Sequence, residues 1–238
     1  MTEYRKIILN TLQKVDVITT AQAYDLCRKK EKEVPKSTVG RRLHTMEKEG
    51  LIERVGHGCY RLRRNKLFDH TITQEMKRIG KILNDAFPLV SWCVWTSDIL
   101  QSLTRHIPAE RFILLDVEYD SREAVHLKLL EVLKNVYLSE VYEKVKGTIP
   151  ENKPPVIIRN FVSQVPVVKK ESIRVPTLEK MLVDFALDDV FNFLQGAEIA
   201  TVYETAFSRY AINQNRMLRY ADRRTSRDRI EKLITNAK

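Results

Sequence analysis

Between Lys36 and Leu62 the chain passes from helical to strand periodicity with only a glycine between, which leaves few folds open to it. At 3.6 residues per turn Val39, Leu43 and Met46 share one narrow stripe, the face that such a helix buries. Ser37, Arg41, His44 and Lys48 project from the opposite side, flanked by Thr38, Arg42 and Thr45, with Lys36 at the start. Ser37 is expected to cap the helix through its hydroxyl, and Gly50 to end it in the left-handed conformation. Leu51 to Val55 and Cys59 to Leu62 then read as two short strands, and Gly56-His57-Gly58 as the tight turn that joins them through positive backbone angles.

Two amphipathic helices are expected upstream. Tyr4, Ile7, Ile8 and Leu12 mark the first; Ala21, Tyr24, Leu26 and Cys27 mark the second, opened by Thr19 or Thr20 as cap. Three helices followed by a hairpin make a winged helix-turn-helix over residues 1–66. Its polar helix face would present donors to base edges, and Arg54, His57, Arg61 and Arg63 on the hairpin would meet phosphates, so double-stranded DNA is the expected partner. Modules of this shape also bind proteins, and that alternative stays open. One module offers little contact area, so two copies on paired half-sites are compatible with the reading. Charge follows the same division: residues 1–66 carry +8, residues 67–204 carry −4 and residues 205–238 carry +6. Concentration of positive charge at the two ends is the footprint of a polyanion-binding surface.

At 238 residues the chain exceeds one such module, and its 43% hydrophobic content supports a second folded domain over residues 67–238, with the boundary near the basic stretch 63–66. No apolar run reaches the roughly 20 residues that span a bilayer, and the polar N-terminus lacks a signal-peptide core, so a cytoplasmic location without membrane association is expected. Cys27, Cys59 and Cys93 are widely spaced and show neither a disulfide framework nor zinc-ligand spacing; all three are expected to be reduced.

In the second domain a helix is expected over 71–86, strands over 89–95 and 112–118 with a short helix over 97–103 between them, and a helix over 122–134. Shorter strands over 136–138, 156–158 and 167–173 and nearly continuous helix from about 178 complete a mixed α/β chain: a winged helix-turn-helix, then an α/β domain ending in a helical segment. Asp116 and Glu118, two apart on a strand, share a face and could hold Mg²⁺ as in a nucleotidyltransferase or nuclease. The surrounding pattern argues against it. Trp95-Thr96-Ser97 has no glycine and lies 19 residues before Asp116, and Asp120 stands where a nuclease needs lysine. No enzyme activity, cofactor or metal is therefore expected. Trp92 and Trp95 read as packing anchors, and His44, His57, His70, His106 and His126 lack ligand spacing.

Three later segments are distinctive: Val175-Pro-Thr-Leu-Glu-Lys-Met-Leu-Val-Asp184, Tyr210-Ala-Ile-Asn213 and Leu218-Arg-Tyr-Ala-Asp-Arg-Arg224. With the Gly56 to Tyr60 turn and the order of parts, they resemble the AbiEi-like antitoxins of type IV toxin–antitoxin (abortive infection) systems. The resemblance implies a transcriptional repressor of its own operon whose second domain counteracts a nucleotidyltransferase-like toxin. Glu179, Lys180 and Asp184 are read as ion-pairing residues on a helix with one apolar side. Arg216, Arg219, Arg223, Arg224, Arg227 and Arg229 outnumber the acids near them and form a candidate surface for nucleic acid or an acidic partner, or a solvated helix.

Overall fold

The computed structural model describes residues 3–63, 65–104, 111–149, 154–162 and 165–237; His106 lies outside them. Helices and strands are mixed, and the chain divides into two compact units, Met1–Leu67 and Phe68–Lys238. Among the described residues no helix is long and apolar enough to cross a membrane.

In the first unit, helices α1 (Glu3–Leu12), α2 (Thr20–Arg28) and α3 (Lys36–Lys48) pack beside an antiparallel sheet of β1 (Ile18–Thr19), β3 (Cys59–Leu62) and β2 (Ile52–Gly56), in that order. Ile8, Leu12, Ala23, Cys27, Val39, Leu43, Met46 and Ile52 form its core. On α2 the buried positions are Ala23 and Cys27, one turn apart, instead of Ala21 and Leu26; the helix opens at Thr19 as expected, where the Thr19 hydroxyl accepts from the Gln22 amide and the Gln22 side chain accepts from Thr19. Two residues of pairing, Ile18 with Tyr60 and Thr19 with Cys59, are too short to leave a periodic trace in the sequence.

The second unit is layered. Its sheet runs β4 (Trp92–Thr96), β5 (Ile113–Val117), β7 (Val156–Asn160), β6 (Val136–Leu138), with β5, β7 and β6 parallel and β4 antiparallel at one edge. Both faces are covered, which is why β5 is buried at every position. Trp92, Val94, Ile113, Leu115, Val117, Val156 and Ile158 face helices α4 (Gln74–Ala86) and α5 (Arg122–Leu130) and the hairpin β8 (Val167–Lys170)/β9 (Ile173–Pro176). Trp95, Leu114 and Ile157 face the helical layer, α7 (Leu178–Leu187), α8 (Ala197–Arg209), α9 (Gln214–Arg223) and α10 (Arg227–Asn236). Helix α6 (Ser139–Val145) follows β6 directly. Trp92 and Trp95 are each 1% exposed and pack as anchors.

Several boundaries differ from expectation for local reasons. Leu89 is exposed and precedes β4, and the first helix of the unit starts at Gln74, where the Thr73 hydroxyl accepts from the Met76 amide. The stretch 167–173 is not one strand: Glu171, at φ 55°, turns it into a hairpin. Helix α5 stops at Leu130, and the helical end is four helices with a 3₁₀ segment, Asp189–Leu194, between α7 and α8. In the first hairpin Gly56 pairs within β2, and of the three turn residues only Gly58 has positive φ, 66°. A Cβ there would stand 3.1 Å from the Thr20 hydroxyl. Gly58→Ala should therefore destabilise the first unit by about 1–2 kcal/mol, read from chemical denaturation of the whole chain.

Candidate functional site

Helix α3 separates its residues cleanly into two sets. Val39, Leu43 and Met46 are fully buried, while Lys36, Ser37, Arg41, His44, Thr45 and Lys48 are exposed; Thr38 is half-buried. Pro35 occupies the cap position and makes no side-chain cap, so Ser37 lies inside the first turn with its hydroxyl outward instead of capping. Gly50, at φ 74°, ends the segment as expected. Among the described residues Arg41 and Lys48 make no ion pair or side-chain hydrogen bond, whereas His44 approaches Glu47 at 3.7 Å. Thr45 donates to the Arg41 carbonyl, and the Lys36 ammonium sits 5.6 Å from the Tyr24 ring centre.

Arg42 belongs to the fold. Its guanidinium lies 4.5 Å from the Tyr4 ring centre and bonds Glu31 at 2.8 Å, tying α1, the α2–α3 connection and α3 together. Arg54 and His57 are exposed at the hairpin end, where Arg54 donates to the Gly56 carbonyl. Arg61 is exposed and paired with Glu53 across the strands. Arg63 is partly buried beside Gly50 and is not part of an outward row. A single face therefore carries Ser37, Arg41, His44, Thr45 and Lys48, with Arg54 and His57 on the adjoining hairpin.

In the second unit a row of polar side chains crosses the sheet. Cys93, Asp116 and Arg159 are direct partners on β4, β5 and β7 and point to the helical layer. Lys180 and Asp184, one turn apart on α7, meet that row. The Lys180 ammonium lies 2.6 Å from Asp116 and 2.5 Å from Asp184; Arg159 bonds Asp116, Asp184 at 3.0 Å and Asp188 at 2.5 Å. Arg224 closes the cluster on Asp188 at 2.5 Å and Asp184 at 3.3 Å, and the Tyr220 hydroxyl donates to Asp184. Three carboxylates face three cations. Burial by itself would raise the Asp116 carboxyl, but Arg159 and Lys180 outweigh it and hold it at about 2. Burial together with the neighbouring Asp184 raises Asp188, against the pull of Arg159 and Arg224.

This cluster revises the readings of α7 and of Arg224, and it takes up the acid that the divalent-ion alternative would use. Asp116 is occupied by two cations, and Glu118 lies beyond the end of β5, so the two do not form a divalent-ion pair. Helix α7 is buried on every side, Glu179, Lys180 and Asp184 included, because its charges are neutralised inside. Arg224 is an interior cation instead of a surface one; Arg227 is paired with Asp222 and Glu231, and Arg229 bonds Gln195. Arg216, Arg219 and Arg223 stay at the surface. A cleft of about 460 Å³ opens where β5, β6 and β7 end, lined among others by Arg159, Asn160, Glu140 and Asp188, and the cluster forms its inner wall. Sequence spacing exposes the Lys180/Asp184 pair, but the Asp116 to Arg159 partnership depends on strand order.

The family of unknown function DUF6577 matches residues 38–238, a span that starts within α3 and takes in the hairpin and the whole second unit. The chain belongs to this family. No curated protein matches it. In this DUF6577 chain all three cysteines are free; Cys27 and Cys93 are buried, and the Cys93 thiol donates to Asp116. Burial and the Asp116 charge push that thiol well up, which keeps it protonated and unreactive.

Lys180→Met should cost about 3–5 kcal/mol, since it leaves Asp116 and Asp184 buried with too little positive charge; urea denaturation checks this. For pH, the Asp116 carboxyl lies below its ordinary value of 3.8 in the folded chain. Its contribution, about 2 kcal/mol, is present above that value and disappears as pH falls from about 4 to about 2, a loss that the difference between wild type and Asp116→Asn over that range isolates.

Proposed function

We propose that the first unit is a winged helix that reads duplex DNA, with α3 as the recognition helix and the β2–β3 hairpin as the wing. One observation carries the reading: the outward face of α3 displays Arg41 and Lys48, which have no side-chain partner among the described residues, beside Ser37, His44 and Thr45, while its opposite face is buried. Cations that find no acid within their own fold favour a polyanion, and a helix is the element that enters a major groove. Ser37, Thr38, Arg41, His44 and Thr45 would meet bases or the flanking phosphates, and Lys36, Lys48, Arg54, His57 and Arg61 would meet the backbone. Repression of the chain's own operon is the role this binding serves in the proposal, and a cytoplasmic location follows from it.

The second half of the proposal is an antitoxin role against a nucleotidyltransferase-like toxin. It rests on the likeness of segments 175–184 and 218–224 to AbiEi-like antitoxins. Lys180, Asp184, Tyr220 and Arg224 from those segments hold the interior together, so any contact that chooses a toxin lies on other residues of the unit.

Fluorescence anisotropy of the intact chain on its upstream DNA and on a scrambled duplex, across a salt series, tests the DNA reading. Arg41→Ala should weaken binding to the upstream sequence by about 1–3 kcal/mol and relax preference at one position. Lys48→Ala should weaken binding to both duplexes alike and flatten the salt dependence. Arg42→Ala should instead lower the melting temperature, because it removes the Tyr4 and Glu31 contacts. Equal, steeply salt-dependent binding to both duplexes in all variants would overturn sequence reading and favour a protein partner for this module.

A further inference from the structure

Helix α9 buries Met217, Tyr220 and Ala221 on one side. Its outer side repeats arginine at 216, 219 and 223, steps of three and four residues that place the three guanidiniums in one row along about 10 Å of helix. They line a groove of about 580 Å³ bounded by Pro166, from the segment before β8, and by Tyr220. Among the described residues that line this groove, acid is scarce. Asp222 is held by Arg227 at 2.8 Å, and the Glu179 carboxylate approaches Arg216 only to 3.7 Å while accepting the Asn213 amide at 2.9 Å. Arg219 is exposed and, among the described residues, has no ion-pair or hydrogen-bond partner.

Like charges at these spacings repel along a helix. In this row Arg219 has no partner among the described residues, and an anion with several charges on one short chain suits the row as a whole. Guanidinium forks match phosphate oxygens two at a time, which single carboxylates or chloride do not exploit along a row. The groove volume falls within the range of small-molecule sites. Its concavity suits a compact ligand better than the rigid cylinder of a duplex.

We propose that this groove binds the polyphosphate chain of a nucleoside triphosphate, with Arg216, Arg219 and Arg223 each engaging a successive phosphate. The site lies on the second unit and is independent of the DNA reading of the first.

The test is thermal stabilisation and calorimetric titration of the whole chain with ATP and with sodium tripolyphosphate, against sulfate at matched ionic strength. ATP and tripolyphosphate should bind and stabilise, and sulfate should not. Arg219→Ala, which removes a side chain with no partner among the described residues, should weaken ATP binding about tenfold and leave the unliganded melting temperature unchanged. Arg216→Ala/Arg219→Ala/Arg223→Ala should abolish it, whereas Arg41→Ala/Lys48→Ala should bind ATP as wild type does. Absence of binding, an equal response to sulfate, or undiminished binding in the triple variant would overturn the assignment. Displacement of ATP from the groove by a single-stranded oligonucleotide of higher affinity would overturn it too, in favour of a nucleic-acid backbone. Loss of DNA binding by the α3 variant with ATP binding intact, or the converse, separates this site from the proposed DNA-reading face.

Discussion

The second unit depends on one ammonium group. Lys180 sits between Asp116 and Asp184, sealed from solvent, and Arg159 and Arg224 reach the same acids and join them to Asp188. Two strands, α7 and α9 are joined through it, because Asp116 and Arg159 belong to the sheet, Asp184 to α7, and Tyr220 to α9. A buried ion cluster is not a large net source of stability, since desolvation consumes most of the Coulomb gain. Its effect is on placement. Sliding α7 along the sheet by one turn would strand charge in an interior otherwise built from Trp95, Phe185 and Phe191, so only one packing of helix on sheet is tolerated.

Arginine plays two physically different parts in this chain, and neighbouring positions separate them. Arg42 and Arg224 each lie against an aromatic group and a carboxylate and are part of the interior or its margin. Arg41 and Arg219 lie on outward faces and have no side-chain partner among the described residues. The basic excess at the two ends of the chain is therefore smaller as a surface property than as a composition. Exposed basic side chains on α3 and α9 include Arg41, Lys48, Arg219 and Arg223.

Much of this was legible from residue order. Helical spacing located the buried stripe of α3 at Val39, Leu43 and Met46, and the two strands of the first hairpin were placed within a residue of where they lie, because in both cases the deciding contacts are local. The α7 charges are legible as ion-pairing residues on a helix with one apolar side, yet their burial is not, because the sheet supplies Asp116 and Arg159 from far along the chain. Arg224 was missed for the same reason. Ser37 misled because cap preference is weak beside the fixed φ of Pro35, and the strand expected over 167–173 hid a turn at a glutamate, a residue that seldom takes positive φ.

Thr19 carries two duties at once. Its backbone pairs with Cys59 in the sheet while its hydroxyl caps α2, and the neighbouring Thr20 takes both its amide and its hydroxyl to the Gly58 carbonyl at the hairpin turn. The hairpin consequently has no hinge against the helix beside it. Tilting it would uncap α2, so the two must open together in hydrogen exchange, and whatever the hairpin touches feels a rigid lever instead of a compliant flap.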